Sequence, residues 1–157
     1  MAKQSAGLLL YRLVERQLQI FLVHPGGPFF RNKDEGSWSI PKGEFLESEE
    51  ALKAARREFE EETGQHIDGK FIELDPITQK GGKTVFAWAV EEDIDSEAIV
   101  SNTFEIEWPP RSGKKQSFPE IDKAAWFDVE TAKAKINSAQ AELIDSLKKA
   151  LYGSSPS

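Results

Sequence analysis

GEFLESEEALKAARREFEEETGQ, residues 43–65, carries both ends of a helix and a surplus of acid in its last turn. The helix is expected from Glu49 to Thr63, with Ser48 as N-cap and Gly64 as the C-terminal stop. Leu52, Ala55 and Phe59 fall at i, i+3 and i+7 and make one apolar stripe. Glu58, Glu60, Glu61 and Glu62 crowd the final turn, and the 58/61 and 58/62 pairs stand at neighbouring helical spacings, each costing roughly 0.2–0.5 kcal/mol. Acids near a helix C-terminus also oppose the macrodipole, at roughly 0.3–1 kcal/mol apiece. Arg56 and Arg57, four residues before Glu60 and Glu61, offset part of this. The remainder calls for a counter-charge from outside the helix, and a divalent cation is the simplest one.

Outward from the helix, toward the N-terminus, Trp38-Ser-Ile-Pro-Lys-Gly43 leads in, with a short strand expected over Trp38–Ile40 that sets Lys42 and Gly43 against the helix. Phe29–Gly36 reads as a loop holding two large aromatics. Gln4–Leu13 and Leu18–His24 read as strands joined by a hairpin loop at Glu15-Arg-Gln17, the first buried on both faces. On the other side, Lys70–Leu74 is expected to be a strand, and Ile77–Lys80 and Lys83–Val90 pair across Gly81-Gly82. Asp93–Ile99 is a polar connection, Thr103–Trp108 an alternating strand, and Pro109–Gln116 a basic, flexible loop. Ala124–Phe127 is a last short strand, and Glu130–Ile136 and Ser138–Leu151 are helices; Leu143, Leu147 and Leu151 share one face of the latter. Strands flanking a central helix, with helices at the end, predict an α/β fold in which a mixed β-sheet is sandwiched between helical layers.

At 157 residues the chain is one domain, expected over 1–152, with 153–157 a disordered tail. No run of residues is long and apolar enough for a signal peptide core or a membrane span, and there are no cysteines, so disulfides, thiol catalysis and Cys-type zinc are excluded. A cytoplasmic location follows as an expectation. The net charge of −7 counts against long nucleic acid as a partner, and against a messenger RNA 5′ end as substrate. A small polyphosphate remains compatible, because Mg²⁺ or Mn²⁺ can mediate between its oxygens and carboxylates.

The order Gly43, five residues, Glu49, seven residues, then Arg57-Glu58-Phe59-Glu60-Glu61-Glu62-Thr63-Gly64 resembles the Nudix box, the signature of Nudix hydrolases. One position departs: Gln65 stands where the family prefers an aliphatic residue, and Ile67 is expected to supply that packing. The flanking Trp38–Lys42 and Pro119–Phe127 segments are also similar to the family, so the resemblance spans most of residues 4–150. It implies the same α/β/α sandwich. It also implies that Glu58, Glu61 and Glu62 are metal-binding acids, which as helix neighbours at i, i+3 and i+4 suit octahedral Mg²⁺ (or Mn²⁺). By the same resemblance the carbonyl of Lys42 is an extra metal ligand, Arg57 orients a carboxylate, and Glu60 is solvated. Glu49 serves either in the first turn or near the metals. Glu120 is the loop acid that the family recruits as ligand or general base, with Asp122 behind it.

The reaction implied is hydrolysis of a phosphoanhydride, in which the cation neutralises phosphate charge and activates water while Glu61 or Glu120 takes the proton. His24 and His66 are read as structural or surface residues. Phe29, Phe30, Trp38, Trp88 and Trp108 are possible stacking surfaces for a base, with Phe30 and Trp38 placed first; Lys42 is the cation placed beside phosphate. The expected substrate is a small nucleotide: a nucleoside triphosphate or dinucleoside polyphosphate first, ADP-ribose or a nucleotide sugar second. A non-catalytic nucleotide-sensing module is the reading of another class, and the retained acids count against it. The chain is expected to act as a monomer or homodimer.

Overall fold

The computed structural model describes residues 3–79 and 81–153. Lys80 and the tail residues 154–157 lie outside the described residues. Strand β1 (Gln4–Val14) organises the rest, and its residues 5–11 are all buried. Ala6, Leu8 and Leu10 point to one core, where they meet Ala54, Ala55 and Phe59 of helix α1 (Ala51–Thr63). Leu9 and Tyr11 point to the other, which they share with Leu143, Ile144 and Leu147 of the C-terminal helix α3 (Ala141–Tyr152). The period of two along a strand thus feeds two cores, and the fold is an α/β/α sandwich.

The sheet is mixed. Its spine runs β4 (Ile72–Glu73), β6 (Lys83–Glu91), β1, β2 (Gln17–Pro25), β9 (Ile121–Asp128), with β1 and β6 parallel and the other pairs antiparallel. β3 (Lys42–Glu44) adds to β1 and β5 (Ile77–Gln79) to β6. β7 (Thr103–Glu107) and β8 (Lys115–Pro119) form a separate two-stranded hairpin.

One irregularity positions the site. β1 and β2 pair only where Tyr11–Val14 face Gln17–Ile20. Beyond that they diverge, and the Trp38–Glu44 segment enters the gap. Ser39 and Val23 exchange backbone hydrogen bonds, both 2.9 Å, the Leu8 N–H donates to the Pro41 carbonyl, and β3 then pairs with Ser5–Gly7.

Several boundaries differ from the sequence reading. Helix α1 starts at Ala51 behind Glu50, with no side-chain cap, so Ser48 is not the N-cap. Trp38–Ile40 makes only isolated bridges, Ser39 to Val23 and Trp38 to Ile136, because the segment switches partners residue by residue. The strand expected over Lys70–Leu74 is just two residues long. Part of the basic stretch read as a flexible loop, Lys115–Gln116, is strand β8, and the last strand begins earlier, at Ile121. The C-terminal elements are α2 (Val129–Lys135), capped by the Asp128 carboxylate on the Thr131 N–H, a 3₁₀ turn at Ser138–Gln140, and α3.

Candidate active site

Helix α1 ends at Gly64, whose φ of 75° is the left-handed conformation that glycine takes without strain. Its N–H donates to the Glu60 carbonyl. The last carbonyls are satisfied from outside: the Val100 N–H donates to Thr63 (2.8 Å) and the Asn102 N–H to Glu61 (3.0 Å). Ile67 is buried in the core under α1, where it supplies the packing that Gln65 does not.

The acids of the last turn separate into two environments. Glu58 lies under β3, its side chain 13 % exposed, and a Cβ built on Gly43 would fall 2.1 Å from its carboxyl carbon. Glycine at 43 therefore leaves the Glu58 carboxyl room to lie where it does. Burial raises the Glu58 carboxyl above its ordinary value, against the pull of Arg57. The Arg57 guanidinium joins three acids: it donates two bonds to Glu49, one to Glu58 (2.9 Å) and one to Glu61 (3.2 Å). Glu49 therefore belongs to the acid cluster. Arg56 pairs with Asp68 rather than Glu60, which stays exposed.

Glu62, one turn on from Glu58 along the same helix face, lines a cleft of about 270 Å³ whose wall includes Phe30, Lys42, Glu120 and Gln140. Burial, with Glu58 and Glu120 adding to it, pushes the Glu62 carboxyl up to about 8, while Lys42 acts in the opposite direction. Lys42 is itself lowered, first by burial and then by Lys83. Strand β3, α1 and the Glu120 turn thus bring the predicted Lys42, Glu62 and Glu120 together. A larger hollow of about 550 Å³, lined by Lys3, Gln4 and 44–48, contains none of the α1 acids.

No three His, Asp or Glu side chains converge into a finished metal site among the described residues. Arg57 draws Glu58 and Glu61 together, and Glu62 points into the cleft. The donor set nevertheless fits a hard divalent cation. It is all oxygen, and a carboxyl that burial and neighbouring acids hold toward protonation is one that a cation would relieve.

Trp38 corrects the sequence reading. Its ring is 5 % exposed, edge-on to His24 and Phe127 at 5.3 and 5.0 Å, and its Nε1 donates to Asp34, so it is a core residue and no stacking surface. Asp122 is occupied as well, since its carboxylate meets His24 Nδ1 at 2.8 Å. His24 is fully buried, and its Nε2 reaches the Lys33 carbonyl at 2.7 Å, tying the Phe29–Gly36 loop to the segment after Glu120.

Sequence reasoning missed Gln140, which is 1 % exposed. Its Oε1 accepts from the Ile40 N–H (3.1 Å) and its Nε2 donates to Ser39 Oγ (3.1 Å), so it straps the inserted segment two residues before Lys42. Asn102 was missed too. Besides donating to Glu61, its carbonyl accepts from the Glu120 N–H at 2.9 Å. Neither residue sits in a motif, and only the three-dimensional contacts identify them.

A mixed sheet between helices thus sets Glu62 of one helix, a half-buried lysine and the loop acid Glu120 around one cleft. The NUDIX domain model matches residues 3–147, and the chain belongs to the NUDIX family. No curated protein matches the chain closely enough to count as a relative. Among solved structures, an Ap4A hydrolase of C. elegans in a binary complex is similar at a TM-score of 0.66 and 21 % identity, covering 98 % of this chain and 100 % of that one. The NUDIX domain of Shewanella oneidensis NrtR, complexed with ADP ribose, gives 0.64 and 14 %, covering 96 % and 89 %. A mutT/nudix family protein from Listeria innocua gives 0.61 and 18 %, covering 95 % and 93 %. At these identities the likeness is one of fold.

Proposed function

We propose that this protein is a Mg²⁺- or Mn²⁺-dependent hydrolase that cleaves a phosphoanhydride in a nucleoside diphosphate linked to another group, namely a nucleoside triphosphate or a dinucleoside polyphosphate. The observation that carries it is Glu62 in the cleft, near Lys42 and Glu120, on the helix that also bears Glu58 beneath Gly43.

Glu58, Glu61 and Glu62, with the Lys42 carbonyl, would hold the cation. When bound, such an ion neutralises charge on the phosphates and activates water for in-line attack. Lys42, held beside the cleft by β3, meets a phosphate oxygen. Glu120 takes the proton of the attacking water, and Phe30, at the cleft wall, stacks on the base. Arg57 keeps Glu49, Glu58 and Glu61 together through its hydrogen bonds.

A second reading, hydrolysis of ADP-ribose or a nucleotide sugar, has one specific support: the likeness to a NUDIX domain complexed with ADP ribose. A nucleotide panel with identification of products separates the two. Turnover is expected to stop with chelator and return with Mg²⁺ or Mn²⁺. Glu120→Gln is expected to lower kcat by roughly 10²–10⁴-fold. Tight nucleotide binding with no product from any member of the panel would overturn the hydrolase reading in favour of a sensing module.

A further inference from the structure

Two consecutive residues of the 26–36 loop carry large aromatic rings to different places. Phe30, 37 % exposed, belongs to the cleft wall. Phe29, 61 % exposed, lies outside it, with its ring edge-on to Trp108 at 5.4 Å and an interplanar angle of 79°. Trp108 follows strand β7 in the hairpin that stands apart from the main sheet.

That hairpin is anchored to the acids. Its first residue follows Asn102, which bonds the Glu61 carbonyl and the Glu120 N–H, and its last strand runs directly into Glu120. Its aromatic side seats on the same loop: a Cβ on Gly27 would fall 2.8 Å from the Phe104 ring, and Phe104 packs with Phe118. The turn beyond Trp108 and the start of β8 carry Arg111, Lys114 and Lys115, all exposed and in no ion pair among the described residues, in a chain of net charge −7. Lys33 adds an ammonium 5.6 Å from the Phe30 ring centre. An exposed aromatic pair beside a polyphosphate cleft, fixed to its acids and bordered by cations, has the chemistry of a second base platform.

We infer that Phe29 and Trp108 form a second nucleobase subsite, so that the ligand matched to this protein has two bases joined by phosphates, one at Phe30 and the other on the Phe29–Trp108 pair. This rests on the nucleotide reading above and selects the dinucleoside polyphosphates within it. The competing role for the pair is purely structural, as packing between hairpin and loop.

The test uses the whole chain and the methylene-bridged analogues of diadenosine tetraphosphate and of ATP, which bind but resist cleavage, in titrations with Mg²⁺. Phe29→Ala and Trp108→Ala are each expected to weaken the two-based analogue about 5- to 150-fold, the worth of one stacked base, and the one-based analogue less than 2-fold. Phe29 is exposed, so its variant keeps the fold; an unchanged melting temperature checks this. Equal weakening of both analogues would return the pair to a packing role and overturn the proposal. So would no weakening of either, or wild-type protein that binds the two-based analogue no more tightly than the one-based. If the selective loss appears while natural nucleotides are bound but never cleaved, the subsite stands and the hydrolase reading fails.

Discussion

Arg57 grips Glu49 with two parallel hydrogen bonds, Nε to Oε2 and Nη2 to Oε1, both 2.9 Å. Glu49 precedes the helix and Arg57 lies two turns inside it, so the fork closes the loop after β3 against α1. The same guanidinium reaches Glu58 and Glu61, and these bonds hold its proton more firmly than usual while lowering the Glu49 carboxyl below its ordinary value. Lysine cannot reproduce this fork. Arg57→Lys is expected to lower kcat/KM or metal affinity by about 10–100-fold, read from a Mg²⁺ titration of turnover. Activity within twofold of wild type would mean that charge alone suffices.

Gly43 and Glu58 give the second prediction. Because a Cβ at 43 would overlap the Glu58 carboxyl, Gly43→Ala is expected to push that acid out of its place under β3. The atoms it would meet are the far end of a flexible side chain, so the acid moves aside at little cost in stability. The variant should melt close to wild type yet require more Mg²⁺ for half-maximal turnover. An unchanged Mg²⁺ requirement would show that Glu58 does not hold the cation.

The third concerns pH in the metal-free protein. Burial pushes the Glu62 carboxyl up to about 8 in the folded chain, against an ordinary 4.5. The folded chain therefore holds more protons than the unfolded chain between these values. Stability from this group is fully present below about 4.5 and is lost as pH rises toward 8, with a slope of up to about 1.4 kcal/mol per pH unit. Glu62→Gln should flatten the slope in chelator. Bound cation opposes it, since metal affinity should rise with pH over the same window. Melting curves of both proteins from pH 5 to 8, with and without Mg²⁺, check each part. An identical slope in the variant would remove Glu62 as its source.

Gln140→Ala provides the fourth. The change leaves the buried Ile40 N–H without its acceptor, at a cost of about 1–3 kcal/mol, or roughly 2–10 °C in Tm for a chain of this length. It also frees the segment that delivers Lys42, so KM should rise with kcat less affected. Thermal melts together with Michaelis curves test this, and an unchanged KM would confine Gln140 to stability.

The parts legible in the sequence were those written in local periods: the apolar run of β1 buried on both faces, and the stripe of α1 with its glycine stop, which carries Glu62 to the cleft beside Lys42. The parts that were not legible depend on contacts between distant positions. Trp38 reads as an aromatic beside the signature, yet its burial is decided by His24 and Phe127. Lys115–Pro119 lacks any strand alternation and is a strand only because Thr103–Glu107 offers it a partner. Gln140 and Asn102 are ordinary polar residues until the fold sets them against Ile40, Glu61 and Glu120.

Asn102 joins the helix and the loop acid into one bracket, with its N–H on the Glu61 carbonyl and its carbonyl on the Glu120 N–H. Two amide protons therefore report on the candidate site without lying on a charged side chain. Opening at the end of the helix must expose both, and clamping of the acids by a cation must protect both. The amides of Asn102 and Glu120 should exchange with solvent deuterium at matched rates and slow together when metal binds, a paired signal that can be followed in the resting protein without turnover.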